Sequence, residues 1–393
     1  MAYKIVLFHP WIYLQGGAER VVLEILKRSK HQIQIFTLIY DEEHTFQEFK
    51  KHKGKIHEIT TNFKMNSFAR KGFVAGLKLI PAKIPFKMFG FDGVIISSGG
   101  IAELIAVRNH DLPIGIYCHT PLRILHDEAI QSDLKARFRF RKYLYPILSR
   151  AYGFWEKIAW RQLSLIMCNS ENVKKRIEKA QLTKLPINII YPAVDPKKYC
   201  PKKKKQKMFF VAGRICFHKR QHLAVEAFKE FKKDKRFKGF RLAIAGNTRE
   251  EHKTYIEDLY KSTLRSLGEY PTNIKIIENP TDQKMIELYQ TAAATIFVPV
   301  NEDFGMTACE SMATGTPVIS VNEGGAKESV IDGKTGYLVE ANPKAIAEAM
   351  KKIALQKNNP FYEACIKRVE EKFTWEKFIE KFDTAIDDWL DWR

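Results

Sequence analysis

The 393-residue sequence lacks the short signatures of most nucleotide, metal and hydrolytic chemistries. No Asp-x-Asp occurs. The carboxylate pair that carries a divalent ion to a diphosphate is therefore missing, and the reading is chemistry with no metal and no cofactor. Neither G-x-G-x-x-G nor a P-loop is present, so a dinucleotide or ATP reading has no motif to rest on. G-x-S-x-G and H-E-x-x-H are also absent, which removes serine-hydrolase and metalloprotease readings. The six cysteines, Cys118, Cys168, Cys200, Cys216, Cys309 and Cys365, include no C-x-x-C pair, as expected of free thiols in a reducing cytoplasm rather than of a zinc site. No stretch approaches the roughly 20 apolar residues that span a bilayer. The best candidate, residues 94–107, contains Ser97, Ser98, two glycines and Glu103. The N-terminus is too short and polar for a secretory signal and reads as a first strand. A cytoplasmic, non-integral protein is expected.

Basic charge is what the chain has in excess. The formal charge is +20, and residues 1–195 hold 30 Lys+Arg against 17 Asp+Glu, while the remainder holds 35 against 28. So basic a surface attracts a polyanionic partner: nucleic acid, anionic lipid or a phosphorylated substrate. With 45% hydrophobic and 12% aromatic residues the chain can bury two cores, and its length exceeds what one core usually fills.

Strand-like apolar runs alternate with helical patterns throughout, the sign of an α/β fold with parallel sheets covered by helices. Tyr3–Phe8, Ile33–Tyr40, Gly93–Ser97, Ile114–Cys118 and Leu165–Asn169 read as strands of a first sheet. Two prolines in Tyr191–Pro196 and the lysine run Lys202–Lys205 break the pattern. A second series follows: Lys207–Ala212, Phe240–Ala245, Ile274–Ile277, Thr295–Val300, Pro317–Val321 and Gly336–Val339. The expected organisation is a Rossmann-like domain over residues 1–192, a second over 193–373, and a helix over 374–393. Ligands in such sheets sit beyond the carboxyl ends of the strands, so two domains facing each other would enclose a cleft lined by those loops.

The strongest local signal is Val300-Asn-Glu-Asp-Phe-Gly-Met-Thr-Ala-Cys-Glu310, which follows a strand and opens a helix. Glu302 and Glu310 stand eight positions apart, and between them the amides near Phe304, Gly305, Met306 and Thr307 form a helix N-terminus suited to a diphosphate. Carboxylates at both ends and amides in the middle suit a nucleotide sugar. Taken alone, the same acidic residues could serve only the helix dipole and a surface ion pair. Arg214 and Lys219 follow the strand ending at Ala212, where two cations can neutralise a departing diphosphate. Gly16 and Gly17 sit between the first strand and first helix, where paired glycines let backbone approach a ligand. His119 ends another strand, before Pro121.

With these residues in view, the sequence resembles family 4 of the retaining glycosyltransferases, which have the GT-B fold of two tandem Rossmann-like domains facing across a cleft. Glu302 and Glu310 match that family's Glu-x7-Glu element, Arg214 and Lys219 its Arg/Lys pair, and Gly16-Gly17 its glycine loop. Gly324-Gly325-x-x-Glu328, Asp332-Gly333 and Thr335-Gly336 resemble the stretch that follows. The resemblance implies that Glu310 holds the donor ribose. It also implies that Glu302 and the amides near Phe304 to Thr307 hold sugar and phosphates, that His119 contacts the transferred sugar, and that Arg214 and Lys219 stabilise the leaving diphosphate. It implies a base pocket near Glu278 and Asn279, and a C-terminal helix returning to the first domain. Cys118-His-Thr-Pro-Leu-Arg123 is similar to the branch that takes mannose from GDP-mannose. UDP-linked glucose or N-acetylglucosamine is the alternative donor.

Two first-domain stretches, 63–91 and 135–161, interleave cations with aromatics. They are expected to lie on anionic lipid at the inner membrane face, bringing the site to a lipid-linked or glycan acceptor. The other reading of these stretches is that the aromatics are core and the cations a solvated face. A nucleic-acid-binding role has charge but no motif, so no nucleic acid is expected. A silent sugar-nucleotide sensor is disfavoured by the intact set of polar residues.

Overall fold

A computed structural model describes residues 1–59, 79–127, 144–202, 204–264 and 273–391. It divides into two compact units, Met1–Tyr191 with Glu376–Arg393, and Pro192–Trp375.

In the first unit seven parallel strands, β1 (Lys4–Phe8), β2 (Gln32–Thr37), β3 (Ile56–Glu58), β4 (Gly93–Ser98), β5 (Ile114–Cys118), β6 (Leu165–Cys168) and β7 (Ile187–Ile189), lie in the order β3-β2-β1-β4-β5-β6-β7. The central strands read as unbroken apolar runs because both faces are covered. Every residue of β4 and β5 is buried. The helix Gly17–Arg28 buries Val21, Val22, Leu23, Ile25 and Leu26 and closes with Lys27 and Arg28, cations that favour a helix C-terminus. The helix Trp375–Asp391 belongs almost wholly to this unit. Its Phe378 packs edge-on against Tyr117, Asp383 accepts from Ser29 Oγ at 2.6 Å, and Trp389 donates to Ser164 Oγ at 2.9 Å. Phe378, Phe382 and Ile386 are fully buried, and each contributes about 1.5–3 kcal/mol.

The second unit has six parallel strands, β8 (Met208–Ala212), β9 (Arg241–Gly246), β10 (Ile274–Glu278), β11 (Ala294–Phe297), β12 (Val318–Val321) and β13 (Gly336–Val339), in the order β10-β9-β8-β11-β12-β13. Both sheets therefore run outward from a first strand in two directions. The order reverses between β1 and β4 in one unit and between β8 and β11 in the other. At such a switch point neighbouring loops diverge and leave a crevice.

The α/β, two-sheet reading of the sequence holds, with local corrections. The run 295–300 is strand only to Phe297, because the Val300 amide turns to His218 O at 2.9 Å and Asn301 takes φ +41°. The second strand stops at Thr37, after which the Leu38 amide bonds to Pro10 O at 3.1 Å. β3 and β7, of three residues each, were not foreseen, since partly exposed edges carry no apolar run. Among the described residues no helix is long and apolar enough to cross a membrane.

Candidate active site

The second unit gathers most of the expected residues on the loops that follow β8, β11 and β12. After β8 the chain turns through Gly213 at φ +122°. Gly246, on β9, must also be glycine, because a Cβ there would lie 1.9 Å from Gly213 O. Buried Gln221 donates to Arg214 O at 2.8 Å and anchors the turn from within. A short helix, Phe217–Lys219, and a left-handed Arg220 then lead into the helix Gln221–Lys232. This winding brings Lys219 Nζ to 2.7 Å from Glu302 Oε1, with about a quarter of each side chain exposed. Arg214 lies exposed on the same loop.

The loop after β11 is locked by two glycine contacts from the loop after β12. A Cβ on Gly324 would meet Glu302 O at 2.5 Å, and one on Gly325 would meet Asp303 O at 2.3 Å. Gly324 also has φ +62°, where L-residues are strained. The Gly325 amide donates to Glu302 O at 2.8 Å. Glu302 is thereby held by backbone on one side and by Lys219 on the other.

Gly305, at φ +91°, caps the helix Met306–Ala313, and a Cβ on it would strike Phe297 at 2.8 Å. Phe304 is buried against Phe373, while Met306 and Thr307 are half-buried in the first turn. The first-turn amides of a helix have no partner within it and point outward. Further along, Glu310 Oε2 accepts from the hydroxyl of fully buried Tyr289 at 2.7 Å. Burial, and then the Glu310 carboxylate, push the Tyr289 phenol well above its ordinary range, so it stays a donor. Glu278 and Asn279, at the carboxyl end of β10, are exposed. Tyr260 OH donates to Glu278 at 2.9 Å, and Asn279, at φ +48°, accepts from the Thr248 amide at 3.0 Å and donates to Thr248 Oγ1 at 3.1 Å.

The first unit holds the others. Gly16 caps the helix that begins at Gly17, and buried Glu19 packs over it. His119 follows β5, is nearly buried, and is one end of a chain across three adjacent strands. Ser97 Oγ lies 2.8 Å from His119 Nε2 and 3.0 Å from Nδ1 of buried His9. Desolvation lowers His9 to about 4 and His119 to about 3, so both rings are neutral near pH 7. Beside them Ser98 Oγ hydrogen-bonds the Glu103 carboxyl, and His126 Nε2 lies 2.7 Å from Glu156. Burial, with Glu156 nearby, raises Glu103 far above the carboxylate range.

Tyr289, His9 and Ser97 are polar residues at these sites that sequence reading passed over. His9 could have been found by the rule that selected His119, since it too stands just beyond a strand. Of the two cation–aromatic stretches, residues 63–78 and 135–143 lie outside the described residues. In the rest, Phe86, Tyr152 and Trp160 are core, while Met88, Phe89 and Phe154 are exposed.

Residues 15–198 match the family described as Glycosyltransferase Family 4, and residues 196–372 match Glycosyl transferases group 1. The chain is 25% identical to alpha-1,3/1,6-mannosyltransferase ALG2 of Dictyostelium discoideum, over 98% of this chain and 97% of that protein. It is likewise 25% identical to human ALG2, over 96% and 94%. Its fold is similar to that of Anabaena Alr3699/HepE, solved with UDP and glucose, at a TM-score of 0.72, 17% identity and coverage of 98% and 99%.

Proposed function

The chain belongs to the family 4 glycosyltransferases, and from that premise we propose that it transfers mannose from GDP-mannose to a lipid-linked or glycan acceptor, without a metal ion. The observation that carries this reading is the Lys219–Glu302 pair on neighbouring strand-end loops, with Glu310 about one turn into the following helix. Charged groups fixed in advance, at the mouth of a parallel sheet, suit a ligand that is anionic in its middle and hydroxylated at both ends. The mannose assignment draws on the two ALG2 relatives and on Cys118–Arg123.

In this reading Glu310, oriented by Tyr289, accepts from the ribose hydroxyls, and Glu278 and Asn279 border the base. The first-turn amides from Phe304 to Thr307 receive the diphosphate, and Glu302 binds sugar hydroxyls. The bond from the anomeric carbon to the phosphate oxygen breaks, and that oxygen keeps the electron pair. Arg214 and Lys219 neutralise the charge that develops there. The acceptor hydroxyl forms the new bond from the same face and gives its proton to the departing phosphate, which retains the anomeric configuration. His119 contacts the transferred sugar, and the Gly16-Gly17 loop lies close to the donor.

The acceptor is brought by docking on anionic lipid. Exposed Met88 and Phe89 beside Lys87 support this part of the reading, as apolar groups flanked by cations suit a lipid interface. Co-sedimentation with anionic but not neutral vesicles, lost at high salt, is the expected result; equal recovery under all conditions would remove it.

Thermal unfolding in EDTA with GDP, GDP-mannose, UDP and UDP-glucose tests the donor. A ligand at 100 times its dissociation constant adds about 2.7 kcal/mol. Stabilisation by the guanine nucleotides alone is expected. Stabilisation by uridine nucleotides alone would replace mannose with a UDP-linked sugar, and no shift with any of the four would overturn the proposal.

A further inference from the structure

We infer that Ser97 and His9 are positioning residues that fix His119 in its Nδ1–H tautomer, so that His119 meets a sugar ligand as a hydrogen-bond donor and not as a base. The part concerning the sugar rests on the function proposed above; the tautomer does not.

The assignment follows from which atoms can donate. His9 Nδ1 lies 3.2 Å from Ser97 O and 3.0 Å from Ser97 Oγ. A carbonyl only accepts, so Nδ1 carries the proton and serves both oxygens. Ser97 Oγ, already an acceptor, then has its own hydrogen to place. Among the described residues the hydroxyl has no other acceptor than His119 Nε2, 2.8 Å away. Nε2 therefore accepts, and the proton of the neutral imidazole sits on Nδ1. Turning the His119 ring over would set Cε1 where Nε2 stands and forfeit the bond to Ser97 Oγ. Its backbone is pinned by His119 N to Ser98 O at 2.8 Å and by Asn169 Nδ2 to His119 O at 2.8 Å. Tyr117 and His9 stand edge-on to it at 5.1 and 6.4 Å. Nδ1 has no hydrogen-bond partner among the described residues and is not one of the buried unpaired atoms. It is left as the accessible, donating edge.

The device is the logic of a ligating histidine whose second nitrogen is fixed by a neighbour, used here to fix a donor. It suits an uncharged oxygen. A ring held neutral by burial, with a second imidazole behind it, offers a proton to share and no lone pair to take one.

Histidine-labelled full-length protein, examined by two-bond proton–nitrogen correlation at neutral pH, reads the tautomer directly. His119 is expected as Nδ1–H in the wild type, as a mixture in Ser97→Ala, and again as Nδ1–H in Ser97→Thr, which keeps the hydroxyl. An Nε2–H wild-type ring, or no change in Ser97→Ala, overturns the inference. A second arm uses the two amides that imitate the two ring nitrogens. With the donor that stabilises the protein, His119→Asn, whose amide stands where Nδ1 does, is expected to keep about tenfold more kcat/KM than His119→Gln. The reverse order overturns the donor role. Failure of the wild type to transfer sugar from any donor would instead sink the proposed function, while the tautomer measurement stands.

Discussion

The two units share one strand order, yet the carboxyl ends of their central strands are electrically opposite in kind. Beyond β8 and β11 stand half-exposed, charged groups: Lys219 against Glu302, with Arg214 on the same loop. At and just beyond the carboxyl ends of β1, β4 and β5 stand buried, uncharged ones: His9 and His119 lowered by desolvation, Ser97 between them, and Glu103 raised by burial. The same crevice geometry can thus be set for an anion or for neutral hydroxyls, by how far the side chains are withdrawn from water. Charge at a half-open loop stays charged; at a buried strand end it is suppressed by the desolvation cost.

The contrast can be broken from the charged side first. Lys219→Ala and Glu302→Ala are each expected to lower kcat by roughly 100- to 1,000-fold, with the thermal midpoint little changed; near-native turnover in both would mean that the charged site lies elsewhere. Next comes the neutral side, through pH. The folded values of His9 and His119 fall below the ordinary 6.5. Their contribution to stability is therefore complete above pH 6.5 and is lost as pH falls through about 4 and 3. The loss is on the order of 3 kcal/mol for His9 alone. His9→Asn, with a side-chain amide near the Nδ1 position and no titration, should flatten the acid limb of a midpoint-against-pH curve between 6.5 and 4. A smaller effect belongs to the glycine lock. Gly324→Ala is expected to cost about 2 kcal/mol in denaturant unfolding and to reduce activity by displacing Glu302. The smallest is Tyr289→Phe, which removes one hydrogen bond worth about 1 kcal/mol and should weaken nucleotide affinity about fivefold, measured by calorimetry, without touching the Lys219–Glu302 pair.

The legible parts of the molecule were those written within one loop or one element. The alternation of apolar runs and helical patterns predicted two parallel sheets because strands covered on both faces must be apolar along their length. Glu302 and Glu310 could be read as a pair because both belong to one strand–loop–helix segment. Short edges could not be read: Ile56–Glu58 and Ile187–Ile189 are half-exposed, so nothing in their composition separates them from loop. Nor could contacts over long separation. Ser97 looked like an interruption in an apolar stretch, and His9 like the end of a run, yet they are 88 residues apart and hydrogen-bonded. Tyr289, 21 residues before the Glu310 it orients, sat unnoticed in a helix.

The amino-acid sequence by itself determined the fold class and the residue types at the strand ends, because periodicity and turn chemistry act over a few neighbours. Only the tertiary structure decided which strand ends are adjacent, and with that which side chains are paired, withdrawn from water or held as one tautomer. The order β2-β1-β4-β5 sets His9, Ser97 and His119 side by side, and β9-β8-β11-β12 does the same for Lys219, Glu302 and Gly324. Adjacency in a parallel sheet depends on crossovers tens of residues long, and no local pattern encodes their outcome.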